Sequence, residues 1–234
     1  MRLLVSVSGA ADVAAAIEGG ADIIDAKDAT QGALGAVTPS VLRDIIAAAG
    51  GRRPVSAALG EAPDSTVPMP VAAMPAGEVS FAKLGFAAGV NMHQGRVHAH
   101  LLAAALAATG TAMVLAAYAD AGPDRLDRDA VLEIAAACGA TGVLLDTLDK
   151  RRGRTLFALA DPEDIAEWVA AAQGQGLFVA LAGSIGADEI ALAGDAGADI
   201  VGVRGAACDG GRDGQVSAAR VRALIRETRV ARAI

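Results

Sequence analysis

The sequence predicts an α/β protein, a single-domain (β/α)8 (TIM) barrel over residues 1–234, and three observations carry that expectation. Short β-branched or apolar runs alternate with longer alanine-rich stretches from end to end. Eight such pairs fit in 234 residues with no linker-like segment, which suits a closed barrel better than a doubly wound sheet. A short unit also recurs: Gly20-Ala21-Asp22-Ile23-Ile24-Asp25 returns as Gly197-Ala198-Asp199-Ile200-Val201-Gly202, with Gly139-Ala140-Thr141-Gly142-Val143 as a weaker copy. Each copy reads as a helix-capping glycine that feeds the next strand.

Taken in order, the short apolar run Leu3–Ser8 predicts the first strand and the alanine-rich Ala10–Glu18 the first helix. Asp22–Lys27 and Pro39–Ala49 form the second pair. Val55–Gly60 is the third strand, but Pro63, Pro68, Pro70 and Pro75 oppose a long helix in the segment Glu61–Ala76 that follows. The remaining strands are Val79–Gly85, Ala112–Asp120, Gly142–Thr147, Leu177–Gly183 and Ile200–Gly205. Their helices are Asn91–Ala108, Asp127–Cys138, Pro162–Gln173, Ala187–Ala196 and Ser217–Arg229.

Composition narrows the function. With 53% hydrophobic residues and a mean hydropathy of +0.43 the chain buries a sizeable core, so disorder is not expected. No apolar run reaches the roughly 18 residues of a spanning helix, and the N-terminus lacks signal-peptide features, so neither a membrane location nor secretion is expected. Cys138 and Cys208 are too few for a disulfide framework, which suits a reducing cytoplasm. A net charge of −7 and a pI near 4.9 argue against a nucleic-acid partner. A homo-oligomer is expected.

The sharpest compositional fact is that only three of the 20 basic residues are lysines: Lys27, Lys83 and Lys150. A high-GC coding bias explains a general shift to arginine. A lysine kept against that bias is a candidate for amine chemistry, because a desolvated ammonium can lose its proton and a guanidinium cannot. All three fall at or just beyond predicted strand C-termini, where a barrel keeps its catalytic groups. The period of two puts Asp25 and Lys27 on one side of their strand; the alternative to chemistry is a structural ion pair at the barrel mouth. Lys83 lies inside an apolar strand and must be paired or functional, unless it is a solvated edge lysine. Lys150 opens the run Lys150-Arg151-Arg152-Gly153-Arg154, which is either a solvated face or a group that attracts phosphate or closes over substrate.

Asp146 and the segment Tyr118-Ala119-Asp120 end strands and are candidates for proton transfer or for orienting the lysines; Asp120 is alternatively a turn residue and Tyr118 a core residue. The glycine-rich stretches Ala182-Gly183-Ser184-Ile185-Gly186 and Gly205-Ala206-Ala207-Cys208-Asp209-Gly210-Gly211 stand where barrels often bind phosphate, and Arg204 offers a fork suited to a phosphoryl group. The alternative is ordinary glycine turns. His93, His98 and His100 share a predicted helix without further ligands, so no metal is expected. Cys138 reads as core, and Cys208 has no base in view to activate it. No Walker loop or dinucleotide fingerprint follows a strand, so no nucleotide cofactor is expected.

The motifs Asp22-Ile23-Ile24-Asp25-Ala26-Lys27, Lys83-Leu84-Gly85, Leu145-Asp146-Thr147, Thr155-Leu156-Phe157, Ala180-Leu181-Ala182-Gly183-Ser184-Ile185 and Ile200-Val201-Gly202-Val203-Arg204-Gly205-Ala206-Ala207-Cys208 resemble the (5-formylfuran-3-yl)methyl phosphate synthase family of methanofuran biosynthesis. The resemblance runs from strand one to strand eight. It implies a lyase that joins two molecules of glyceraldehyde 3-phosphate into a furan-aldehyde phosphate, releasing phosphate and water, with no metal or organic cofactor. It further implies that Lys27 forms a Schiff base, that Lys83 accepts a proton, and that Asp25 and Asp146 assist. The family's lysine just before Thr-Leu-Phe is matched by Arg154, with Lys150 as the other candidate for its place. Gly183, Ser184, Arg204, Gly205, Ala206, Lys150, Arg154 and Asp120 are then the expected substrate- and phosphate-binding residues.

Two other readings stay open. Isomerases, epimerases and decarboxylases of the phosphate-binding barrels also carry Asp-x-Lys at a strand end, although the orotidine-monophosphate decarboxylase-like pattern continues with an Asp where this chain has Thr30. A non-catalytic binding barrel is the second, and it requires the three rim lysines to be coincidental.

Overall fold

A computed structural model describes residues 1–62, 71, 74–150 and 153–230. Most of the proline-rich stretch after the third strand, including Pro63, Pro68 and Pro70, lies outside the described residues, as do Arg151 and Arg152. Eight parallel strands close into a barrel in sequence order: β1 Arg2–Val7, β2 Ile23–Ala26, β3 Val55–Ala62, β4 Phe81–Phe86, β5 Ala112–Tyr118, β6 Gly142–Asp146, β7 Phe178–Leu181 and β8 Ile200–Val203. The ring is completed by β8 on β1, from Arg2 opposite Ile200 to Val5 opposite Val203. Around it, among the described residues, run α1 Ala10–Gly19, α2 Pro39–Ala49, α3 Met92–Leu106, α4 Arg128–Ala137, α5 Pro162–Gly174, α6 Ile190–Asp195 and α7 Ala218–Val230.

The recurring Gly-Ala-Asp unit has one local cause. Gly20, Gly139 and Gly197 each follow a helix with positive φ (98°, 74° and 82°), the left-handed conformation that costs glycine little. In two copies the aspartate then fastens a neighbouring strand, since Asp22 Oδ2 accepts the Leu3 N–H at 2.8 Å and Asp199 Oδ2 accepts that of Val179 at 2.8 Å. Helix starts are equally local. Thr38, Asp127 and Asp161 accept N–H groups of the first turns of α2, α4 and α5, and Asn91 with Gln94 forms a capping box on α3.

Two elements depart from expectation. The helix expected over Ala187–Ala196 splits into a 3-10 turn, Ala187–Glu189, and the short α6. The glycine-rich stretch after β8 is not simply a loop: Cys208–Asp209 (β9) pairs antiparallel with Gln215–Val216 (β10) in a small hairpin at the barrel mouth.

Burial divides into two layers. Outward-facing strand residues such as Leu3, Val5, Leu115, Val143 and Val179 pack under the helices, each 0% exposed. Inward-facing Leu4, Ile23, Val114, Leu144 and Ile200 fill the barrel. At the N-terminal end Phe81 and Phe178 meet edge to face, 5.4 Å between centroids, and Gly142 leaves room for Phe178, whose ring would lie 2.5 Å from a Cβ there. These rings plug that end, and the open space of the barrel lies toward the opposite mouth.

Candidate active site

The shape of that space follows from side-chain size. Toward the mouth, the inward positions on the β7–β8 side are Ala180, Ala182 and Gly202, and a Cβ on Gly202 would approach that of Ala182 to 3.3 Å. These small residues leave a cavity of about 310 Å³, lined by all three lysines together with Asp25 and Asp146.

Strand pairing sets Asp25 opposite Ser6 on one side and Ser56 on the other. Its carboxylate is 0% exposed and accepts Ser6 Oγ at 2.9 Å and Lys83 Nζ at 2.5 Å. Lys83 is the third residue of β4 rather than a rim residue; it projects inward from mid-strand, and its flexible stem carries the amine to Asp25. Burial alone would raise the Asp25 carboxyl, but the Lys83 and Lys27 charges and the two hydrogen bonds outweigh it and hold it below its ordinary range. A second pair mirrors the first. Lys150 Nζ donates to Asp146 Oδ1 and, at 2.9 Å, to Thr147 Oγ1, while the Thr147 N–H donates to the same carboxylate oxygen at 2.7 Å. Asp146 is held low for the same reason, burial being outweighed by Lys150 and then Lys27.

Lys27 stands one residue beyond β2, its N–H donating to Val7 O at 3.0 Å. Its amine has no hydrogen bond or ion pair among the described residues, and the residue as a whole is 7% exposed. Burial drives its pKa down from 10.5 to about 8; Asp146 and Asp25 pull upward against this, while Lys83 and Lys150 add to the fall. Asp25 therefore acts on Lys27 through charge and hydrogen-bonds elsewhere. An amine free for part of the time at neutral pH, between two committed ion pairs, can attack a carbonyl.

Loop backbone completes the wall. Gly183 has φ +117°, and a Cβ there would lie 2.8 Å from Thr147 Cγ2, so only glycine fits. Ser184 follows with φ 55°, and the N–H groups of Gly183, Ser184 and Ile185 find no acceptor among the described residues. Gly205 and Ala206 open a 3-10 turn after the adjacent strand β8 and also line the cavity. Such unpaired donors suit an anion.

The other expected site residues separate. Arg204 borders the cavity, but four of its N–H groups serve the protein: Nη1 donates to Asp12 Oδ2 (2.8 Å) and Ser6 O (3.0 Å), Nη2 to Gly214 O (2.9 Å) and Nε to Arg212 O (3.2 Å). It is a tie between α1, β1 and the hairpin. Asp120 lies outside the cavity lining; its two oxygens take the N–H groups of Leu148 (2.6 Å) and Asp149 (3.0 Å) and so join the loops after β5 and β6. Arg154 is exposed and does not line the cavity, whereas Lys150 does. Tyr118 is buried under Leu34, with burial and then Glu61 raising its hydroxyl well above the usual value. Cys208 is buried in β9, where burial pushes its thiol up. His93, His98 and His100 lie on α3 and do not line the cavity, and among the described residues no group of His, Cys, Asp or Glu is set to hold a metal ion. No described helix is long and apolar enough to cross a membrane.

Two cavity residues escaped the sequence reading. Ser6 lies within the first strand and Arg212 within Gly210-Gly211-Arg212-Asp213-Gly214, and both line the cavity. The one available signal was a lone cation in the glycine-rich stretch directly after strand eight.

Fold and site together define a (β/α)8 barrel with a lysine-centred site at the C-terminal mouth of its strands. A model of the family described as 4-HFC-P synthase matches residues 3–225. The chain is 38% identical over 215 residues to the (5-formylfuran-3-yl)methyl phosphate synthase of Methanopyrus kandleri, covering 90% of each chain. It is 36% identical over 217 residues to that of Methanothermobacter thermautotrophicus, covering 90% of this chain and 91% of the relative. The chain belongs to the (5-formylfuran-3-yl)methyl phosphate synthase family of enzymes, the one its motifs resemble. Among solved structures, 3-hexulose-6-phosphate synthase from Salmonella typhimurium is similar with a TM-score of 0.66 at 15% identity, covering 99% of this chain and 100% of that one. Phosphoribosyl anthranilate isomerase from Thermus thermophilus gives 0.65 at 19% identity, covering 98% and 99%. At such identities the likeness is one of fold.

Proposed function

We propose that this chain is a lyase that condenses two molecules of glyceraldehyde 3-phosphate into (5-formylfuran-3-yl)methyl phosphate, with loss of one phosphate and two waters, for methanofuran or an analogue of it. The observation that carries this reading is a buried, unpaired lysine amine with its pKa lowered to about 8, set between two lysine–carboxylate pairs. Lys27 adds to the carbonyl of one triose phosphate and, as water leaves, forms an iminium that acidifies the neighbouring C–H. Lys83, coupled to Asp25, gives its own proton to the departing water, then as the free amine takes the C–H proton and returns it in later steps. The resulting enamine carbon bonds to the carbonyl carbon of the second triose. Lys150, held in place by the Asp146 carboxylate, supplies a proton to a departing oxygen group, and hydrolysis of the imine frees the aldehyde and restores Lys27. The open N–H groups of Gly183, Ser184 and Ile185, with Gly205 and Ala206 after the adjacent strand, receive phosphate oxygens. Each chemical demand of the condensation, namely carbonyl activation, a base, proton donors and an anion site, thus has a candidate within one cavity.

The test is incubation with glyceraldehyde 3-phosphate alone. A furan aldehyde absorbs strongly in the near ultraviolet, and borohydride added during turnover should leave stable mass at Lys27. Mass at another residue, or a Lys27→Ala variant that keeps full turnover, would sink the assignment.

A further inference from the structure

A cation removed from water needs an anion, and one at the cavity has none in contact. Arg212 is half-buried, lines the cavity together with Lys27 and Lys150, and forms no ion pair with any carboxylate among the described residues; Asp146 and Asp213 act on it only through charge at longer range. Its Nη2 donates to two carbonyls of the loop after β2, Ala29 O at 3.2 Å and Gly32 O at 3.1 Å. The N–H groups on Nε and Nη1 remain open. The backbone beneath is tied down, because Arg212 O accepts Arg204 Nε at 3.2 Å.

We infer that Arg212, and not Arg204, is the guanidinium that grips a substrate phosphate, and that the same side chain fastens the loop following Lys27 over the occupied cavity. This rests on the proposed reaction for the identity of the anion as a phosphate ester. The open N–H groups on Nε and Nη1 lie on different edges of the planar guanidinium, and each can donate a charge-assisted hydrogen bond to a phosphate oxygen. The carbonyls held by Nη2 precede Ala33 and Leu34, which pack with Tyr118 among the residues inside the barrel. An anion on the Nε edge therefore holds in place the group that closes the loop. An unphosphorylated aldehyde engages neither effect, so Arg212 sets the preference for phosphorylated substrates.

Arg212→Gln and Arg212→Lys in the full chain test this, with borohydride trapping at Lys27 read against concentration for glyceraldehyde 3-phosphate and for glyceraldehyde. In Arg212→Gln the half-saturating concentration for the phosphate ester should rise roughly tenfold or more, as loss of a charged hydrogen-bonding partner implies, while that for glyceraldehyde stays within about twofold. Arg212→Lys, which keeps the charge and loses the fork, should fall between, and it carries the test alone if the glutamine variant fails to melt cooperatively. An unchanged value for the phosphate ester, or equal losses with both aldehydes, would overturn the assignment. Calorimetric binding of inorganic phosphate to the parent and to each variant decides Arg212 even if no adduct forms at Lys27, an outcome that refutes the proposed reaction instead.

Discussion

Lys83 Nζ lies 2.5 Å from Asp25 Oδ1 in an ion pair whose carboxylate is wholly buried, so the lysine two residues after Asp25 is not its partner. Asp146 holds Lys150 in the same manner. Two carboxylates thereby neutralise two ammoniums, and a third ammonium at Lys27 would leave net charge in a site poorly reached by water. Neutral Lys27 balances the cluster, and the neutral amine is the nucleophile. The function of this cavity thus lies in having one amine more than it has carboxylates.

Imine formation should track the free amine. With the Lys27 pKa near 8, the initial rate of borohydride-trapped adduct rises with pH and levels off above that value. A titration midpoint close to 10.5, the ordinary value for lysine, would show that the pocket does not tune it.

The same shift fixes a stability prediction. Lys27 titrates near 8 in the folded chain and near 10.4 when unfolded. Between those values the unfolded chain binds the extra proton, so this residue's contribution makes stability rise with pH across that window; below it both states are protonated and the buried ammonium weakens the fold. Lys27→Met should therefore be inactive yet more stable at neutral pH, by about 1–3 kcal/mol in urea unfolding, with the advantage fading as pH approaches 10.5. A variant less stable than the parent at neutral pH would mean that Lys27 has a partner in solution.

Much of the fold was legible because its causes are local. The left-handed glycines at 20, 139 and 197 and the strand-locking Asp22 and Asp199 act within a few residues of their place in the repeat or on the adjacent strand. Gathering the lysines into one cavity followed from strand direction alone. Partner choice was not legible. Period two puts Asp25 and Lys27 on one face, but which amine takes the carboxylate depends on the reach of Lys83 from two strands away, 58 positions on. Arg204 has the shape of a phosphate ligand, and only the fold brings Asp12, 192 positions earlier, against its guanidinium. Arg212 enters the cavity because Cys208 pairs with Val216 to form a hairpin, a pairing hidden in a run of glycines.

We propose that Lys150 takes the place of the family's lysine before Thr-Leu-Phe. Its amine reaches Asp146 inside the cavity, whereas Arg154 faces solvent. Lys150→Met should lower kcat by about 100-fold or more, the scale on which one positioned proton donor acts, and Arg154→Met should leave turnover within about twofold, as surface substitutions usually do. Furan absorbance under saturating substrate measures both; the reverse ranking would return the role to Arg154.

Gly183 separates backbone strain from damage to the site. Alanine at φ +117° is strained, and its Cβ would press to 2.8 Å on Thr147 Cγ2. Thr147 holds the second ion pair through its N–H on Asp146 and its hydroxyl under Lys150, so displacing it disturbs both. Gly60 has φ +90°, and a Cβ added there would meet nothing within 4 Å, so Gly60→Ala carries the strain without the clash. Both variants should lose about 1–3 kcal/mol of stability, read from urea midpoints, but only Gly183→Ala should also lose activity, by about tenfold or more, as small displacements at a reacting centre produce. Equal activity in the two folded variants would show that the Gly183 turn shapes the loop without governing the Lys150–Asp146 pair.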